Sequence, residues 1–273
     1  MYALSKHETS DEAGGWSLLQ TRMAPWRVSH GFLAITVVFL VTGIGLFTGR
    51  LSAAVGVFVF VVSGWIVSLC LHEAAHALVA YWGGDKSVVE KGYLNLDPFA
   101  YANPVMSIGL PILYLLLGGI GLPGGAVYID YTVLRNRHWD ALVSAAGPLA
   151  NLVFLVVLSL PFVFGWPELM EGTPHAFWSA LGFLAALQVS AVILNMLPIP
   201  GLDGFGVIRP YLPYDMQAQA NQIASMLGFF LILIFMNQKV SGAIRNATFK
   251  VTTELGISPA VIFHGAGLFR LWQ

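Results

Sequence analysis

The motif His72-Glu73-Ala74-Ala75-His76 lies inside an apolar run long enough to cross a membrane, and no other feature constrains the chain so tightly. The flanks Val61–Val67 and Ala77–Ala80 carry no charge. On a helix, residues four apart project from one face, so His72 and His76 can ligate a single zinc ion. Glu73 lies between them, close enough to handle the proton of a water activated by the metal. Two histidines and a glutamate are costly at membrane depth, which marks them as functional residues. The chemistry expected of such a helix is hydrolysis in or near the bilayer.

Composition agrees with a membrane setting. The chain has 273 residues, 57% hydrophobic and 10% charged, against about 25% charged in soluble domains. A net charge of −1 gives no reason to expect nucleic acid. Cys70 is the single cysteine, so no intramolecular disulfide forms. It precedes His72 by two residues and points away from its face, so packing is expected of it. The stretch Met1–Arg27 is polar and mixed in charge, unlike a secretory leader, and reads as a cytoplasmic tail.

Spanning the hydrocarbon takes roughly 20 residues of helix. Gly31–Phe47, Ala53–Trp82, Ala141–Phe164, Phe177–Leu197 and Ala218–Met236 qualify, and Val105–Gly121 is apolar but interrupted by Gly109 and Pro111. The expected fold is an all-α membrane protein, a bundle of five or six transmembrane helices with one re-entrant segment. A small extended element is expected around Val88–Leu96. The division is a polar tail over residues 1–30, a membrane-embedded core over 31–236 and an amphipathic tail over 237–273. Trp26, Trp82, Trp139, Trp166 and Trp272 stand at segment ends, as interfacial aromatics do. The glycine-rich Gly118–Gly125 follows no strand and reads as a turn or gate, not a phosphate cradle.

A zinc site with two histidines needs a third protein ligand and one open position. Asp203 is the best candidate. It follows the apolar segment that ends at Leu197, past Pro198 and Pro200, which break the helix. Taken alone, the same aspartate also suits a turn before Gly204. The stretch Pro198–Leu202 reads as extended, a place for an unwound substrate to dock.

Taken together, these residues resemble the site-2 proteases, the zinc intramembrane metalloproteases. The resemblance rests on His72–His76, on Ala146-Gly147-Pro148-Leu149-Ala150-Asn151, and on Asn195-Met196-Leu197-Pro198-Ile199-Pro200-Gly201-Leu202-Asp203-Gly204, in that order. It covers roughly His30 to Met236, by motif order. Many members have glycine where this chain has Ala75. No PDZ or nucleotide-sensing module is visible, so the chain resembles the compact, catalytic-core form. The resemblance implies one zinc per chain on His72, His76 and Asp203, with Glu73 as catalytic base. Asn195 and Asn151 match family asparagines near the site, with substrate or oxyanion binding as their expected role; Asn195 also suits a cap on its own helix end, and Asn151 equally suits close helix packing beside Gly147 and Pro148. It also implies a membrane-protein substrate, regulated proteolysis with a regulatory partner, and residence in the plasma membrane of a prokaryote. A non-proteolytic protein that binds or carries a metal ion is the rival reading; it would use the histidines without needing Glu73. A prenyl-protein protease would need a later glutamate ligand, and none lies between Glu171 and Glu254.

One geometric condition bears on topology. His76 and Asp203 must share a depth, so the segments that end near them must run in the same direction. Val105–Gly121 then has to turn back without crossing. Lys86, Lys91, Arg135 and Arg137 flank it and fall on the cytoplasmic side, the side nearer the active site. The same count leaves the basic residues of the 237–273 tail outside.

Overall fold

The computed structural model of the protein describes residues 27–100, 127–169, 175–220, 222–224, 234 and 237–270. Every regular element among them is helical. Among the described residues, four helices are long and apolar enough to cross a membrane: α1 (His30–Phe47), α2 (Ala53–Gly83), α3 (Arg137–Val163) and α4 (His175–Asn195). Polar side chains fix their starts. Ser29 accepts the Phe32 N–H at 3.0 Å to open α1. Asn136 accepts from His138 and Trp139 to open α3.

Small residues let these helices approach closely, the usual device where lipid removes the hydrophobic drive between helices. Leu46 of α1 packs on Gly56 of α2, and Phe39 packs on Gly64, so the two helices are antiparallel. Further along α2, His72 meets Asn151 and His76 meets Val143, so α3 is also antiparallel to α2. Helix α4 runs parallel to α2. Phe60 faces Phe177, Leu184 lies against Gly64, and Ser68 donates to Gln188 Oε1 at 2.5 Å. The shared direction expected of the two site-bearing segments is therefore present.

The stretches that complete the site begin and end at one end of the bundle. The Arg135 N–H donates to the Gly83 carbonyl at 3.0 Å, and Lys91 Nζ donates to the Tyr128 carbonyl at 2.8 Å. Val105–Gly121 and Gly118–Gly125 lie outside the described residues, but the chain on either side of them sits at the same end. Asp85, 1% exposed, stitches this end together. Its carboxylate accepts from the Ser87 amide and hydroxyl and from the Asp130 amide. Asp130 in turn accepts from the Thr132 hydroxyl and amide, and these bonds hold its carboxyl below the usual carboxylate range.

Three expectations are corrected. The stretch Val88–Leu96 is not extended: Ser87–Glu90 forms one helical turn and Tyr93–Asn95 a 3-10 turn, because Asp85 caps Ser87 and Gly92 turns the chain at φ 74°. The stretch Pro198–Leu202 is not extended either. Ile199 N–H bonds to the Leu197 carbonyl and Leu202 N–H to the Ile199 carbonyl, so consecutive turns take two of the amide donors that a docked strand would use. The tail, finally, does not start on the far side. Short helix α5 (Asp203–Ile208) is followed by α6 (Gln238–Glu254), whose first turn packs Val240 beside Leu194, Leu197 and Ile199, at the site's end of α4. Helix α6 then runs antiparallel along α4, with Thr248 bonded to Ser190 at 3.0 Å. Most of Ala218–Met236 lies outside the described residues, and its flanks too meet at this end.

Helix α7 (Pro259–Phe269) closes the opposite end. Gly265 abuts the Ser179 carbonyl, and Phe269, 1% exposed, stacks on Phe58 at 5.4 Å between ring centroids.

Candidate active site

Helix α2 carries His72, Glu73 and His76 in its buried second half, exposed by 7%, 3% and 6%. Helical spacing puts both imidazoles on one side, with Nε2 atoms 3.0 Å apart. The Nδ1 of His76 lies 2.6 Å from the Val143 carbonyl, which can only accept, so this nitrogen carries the proton. The Nδ1 of His72 lies 3.1 Å from Asn151 Oδ1 and donates in the same way. Both Nε2 atoms therefore present lone pairs.

Asp203 closes the group. It is the first residue of α5, brought in because the chain turns sharply after α4. Gly201 adopts φ 97°, and a side chain at Gly204 would collide with the Met196 carbonyl. The Asp203 carboxylate oxygens lie 3.3 Å from His72 Nε2 and 3.4 Å from His76 Nε2. Two lone-pair nitrogens and a carboxylate thus converge with no donor between them, an arrangement that a cation satisfies. Space has been left for it: a Cβ at Gly147 of α3 would collide with the Nε2 of both histidines. The three residues fit zinc, whose structural preference is for nitrogen and oxygen ligands of this kind with an open position for water.

Glu73 is held separately. The Val127 N–H donates to its Oε2 at 3.1 Å. Val127 belongs to a non-helical stretch tied down through Asp130 and Asp85, so this carboxylate oxygen is fixed, and among the described residues no hydrogen bond occupies the other.

The structure brings His72, His76 and Asp203 together and sets Glu73 beside them. Asn151 makes a contact the sequence did not suggest: its carbonyl oxygen accepts from His72 Nδ1, which orients the imidazole. Asn195 is buried at the end of α4, 6% exposed. Sequence reasoning missed Asp85, Val127 and the Val143 carbonyl. The two backbone groups leave no trace in residue type. Asp85 left one hint, a charged residue directly after the double glycine that ends α2.

A membrane helix bundle with a His-x-x-x-His and aspartate pocket defines the class: a membrane protein built around a metal centre. Three relatives narrow it. The chain is 41% identical over 231 residues to a Mycolicibacterium smegmatis protein named as the zinc metalloprotease Rip2, covering 83% of this chain and 85% of that protein. It is 41% identical over 225 residues to the protein of the same name in Mycobacterium tuberculosis, covering 81% and 83%. It is 30% identical over 173 residues to a Bacillus subtilis protein named as the zinc metalloprotease YwhC, covering 62% of this chain and 76% of that protein. No family model matches the chain, and no solved structure matches it. The chain belongs to the site-2 protease family of zinc metalloproteases. It is a metalloprotease, and zinc is its cofactor.

Proposed function

We propose that this enzyme is an intramembrane endopeptidase that cuts a membrane-protein substrate within or beside a transmembrane segment. The observation that carries the reading is the depth of the metal pocket. His72 and His76 project from the interior of a 31-residue apolar helix, and Asp203 reaches them from the turn after a second apolar helix running the same way. In this reading His72, His76 and Asp203 hold the zinc, and Glu73 is the catalytic base. Zinc, when bound, supplies a Lewis acid that polarises the scissile carbonyl and acidifies a water. Glu73 takes the proton as the water's oxygen bonds to the carbonyl carbon, then passes it to the nitrogen as the C–N bond breaks. The Val127 amide keeps the Glu73 carboxylate aimed during both transfers. Asn151 and the Val143 carbonyl hold the imidazoles by Nδ1, which fixes their tautomers. Asn195 remains the candidate donor to the oxyanion.

The site end faces the cytoplasm of a prokaryotic cell in this reading. Arg27, Lys86, Lys91, Arg135, Arg137 and Lys239 gather there, while Arg50 and Arg270 stand at the other end. That asymmetry follows the positive-inside rule. The natural role would be regulated proteolysis, with a regulatory partner that governs access of the substrate.

Metal binding without proteolysis is the alternative, and Glu73→Gln separates the two. The protease reading expects full zinc content and loss of cleavage in a reconstituted assay. Retained cleavage would remove Glu73 from the mechanism. Co-purification with the Glu73→Gln protein, used as a trap in its own membrane, would identify the substrate.

A further inference from the structure

Two pieces of the pocket do not belong to the long helices. One is α5, six residues long, which begins with Asp203. The other is the stretch from Val127 to Val133, which gives its first N–H to Glu73. One residue links the two: its backbone continues α5, and its side chain reaches the other stretch and α3. Arg209 directly follows α5. Its Nη2 lies 2.7 Å from Asp140 Oδ1, with both side chains mostly buried, 18% and 17% exposed. Its guanidinium carbon lies 4.2 Å from the centroid of the Tyr131 ring.

We propose that Arg209 is a positioning residue for the zinc centre, a latch that fixes Asp203 and Val127 relative to the two histidines. The proposal rests on the ligand set given above. Asp140 lies seven residues, two helical turns, before Gly147, the residue whose missing side chain leaves room for the metal. The ion pair therefore joins α5 to the same face of α3 that lines the pocket. Gly206 allows the close approach, since a Cβ there would collide with Ser144 Oγ of α3. Tyr131, four residues past Val127, stacks on the other side of the junction. A guanidinium serves here as an ammonium would not, because its plane stacks on an aromatic ring while its edge donates to a carboxylate. Partial burial strips water from both charges, so removing one partner leaves the other uncompensated and costs more than breaking an exposed pair.

The alternative is that the pair only adds general stability. Zinc affinity distinguishes the two, because a latch acts on the geometry of the ligands. The full chain in detergent is measured by chelator competition for zinc and by thermal melting after zinc removal. Arg209→Ala is expected to melt as a folded protein while binding zinc about tenfold or more weakly, the range found when groups that orient metal ligands are lost. Arg209→Lys should fall between it and the wild type. The exchanged pair Asp140→Arg with Arg209→Asp should regain part of the affinity lost in either single variant. A folded Arg209→Ala protein with wild-type zinc affinity overturns the proposal. If Arg209→Ala does not fold, Arg209→Lys decides by the same measure, and unchanged affinity there also overturns it. His76→Ala is run alongside. Full zinc retention in that variant would sink the ligand assignment itself, whereas its loss together with an unaffected Arg209→Ala would sink the latch alone.

Discussion

Asn151 on α3 accepts a hydrogen bond from the Nδ1 of His72 on α2 across 3.1 Å, in the buried centre of the bundle. The bond ties one imidazole to a neighbouring helix and turns its Nε2 toward Asp203. The packing of α2 on α3 and the tautomer of His72 are thereby set by the same contact.

Removing that contact should cost metal before it costs fold. Asn151→Ala leaves His72 free to rotate and to exchange tautomers. The expected result is zinc affinity about 10- to 100-fold weaker, with helical content unchanged by circular dichroism. Affinity equal to wild type would mean that packing alone orients His72.

Gly147→Ala tests the space in front of the imidazoles. The added methyl would occupy the position that both Nε2 atoms face. Alanine is favoured over glycine in a helix by about 1 kcal/mol, and the collision with the imidazoles works against that gain. Zinc content per chain, measured on purified protein, should fall sharply. A variant that keeps its zinc would show that the metal sits away from this face.

Topology gives a third test. Lys91 and Arg135 flank the undescribed 101–126 stretch and sit at one end of the bundle, while Arg50 joins α1 to α2 at the other. Single cysteines at these positions, in a Cys70→Ser background, are treated with an impermeant thiol reagent in oriented vesicles. Positions 91 and 135 should react from one side and position 50 from the other. Opposite labelling of 91 and 135 would require the chain to cross between them.

Much of this arrangement is legible in the sequence because the bilayer makes apolar length and misplaced charge conspicuous. Four of the apolar segments appear as helices with ends within a few residues of those expected. The parallel run of α2 and α4 follows from requiring His76 and Asp203 to meet. The sequence misled at the short connections. Whether Pro198–Leu202 extends or turns depends on where its amides bond, and a proline-rich string permits both. Counting Ala218–Met236 as one more crossing puts the tail on the far side, against its basic residues. Helix α6 instead starts beside Leu194, Leu197 and Ile199 at the site's end, the side to which those basic residues point. The bond from His72 to Asn151 was not legible either, because residue type cannot tell which partner a side-chain amide has found.

The last prediction concerns the substrate. A peptide bond inside a stable helix has its carbonyl hydrogen-bonded and screened by side chains, so a water activated at the pocket cannot reach it. The pocket here is deep: Glu73 is 3% exposed and the two histidines little more. The turns over Pro198–Leu202 leave the substrate no ready strand to pair with at that point, so opening must come largely from its own sequence. Glycine and proline lower the cost of local unwinding, since they disfavour helix by about 1 and 3 kcal/mol relative to alanine. Cleavage is therefore expected in single-span substrates near such residues, close to the cytoplasmic boundary. Once a substrate has been caught on the Glu73→Gln protein, its glycine or proline can be replaced by leucine. Cleavage by the wild-type enzyme should slow several-fold at least, since 1 kcal/mol corresponds to a factor of about five in an equilibrium. Binding to the inactive enzyme should be largely kept. An unchanged rate across the series would mean that the substrate arrives already unwound, and that the enzyme or a partner does the opening.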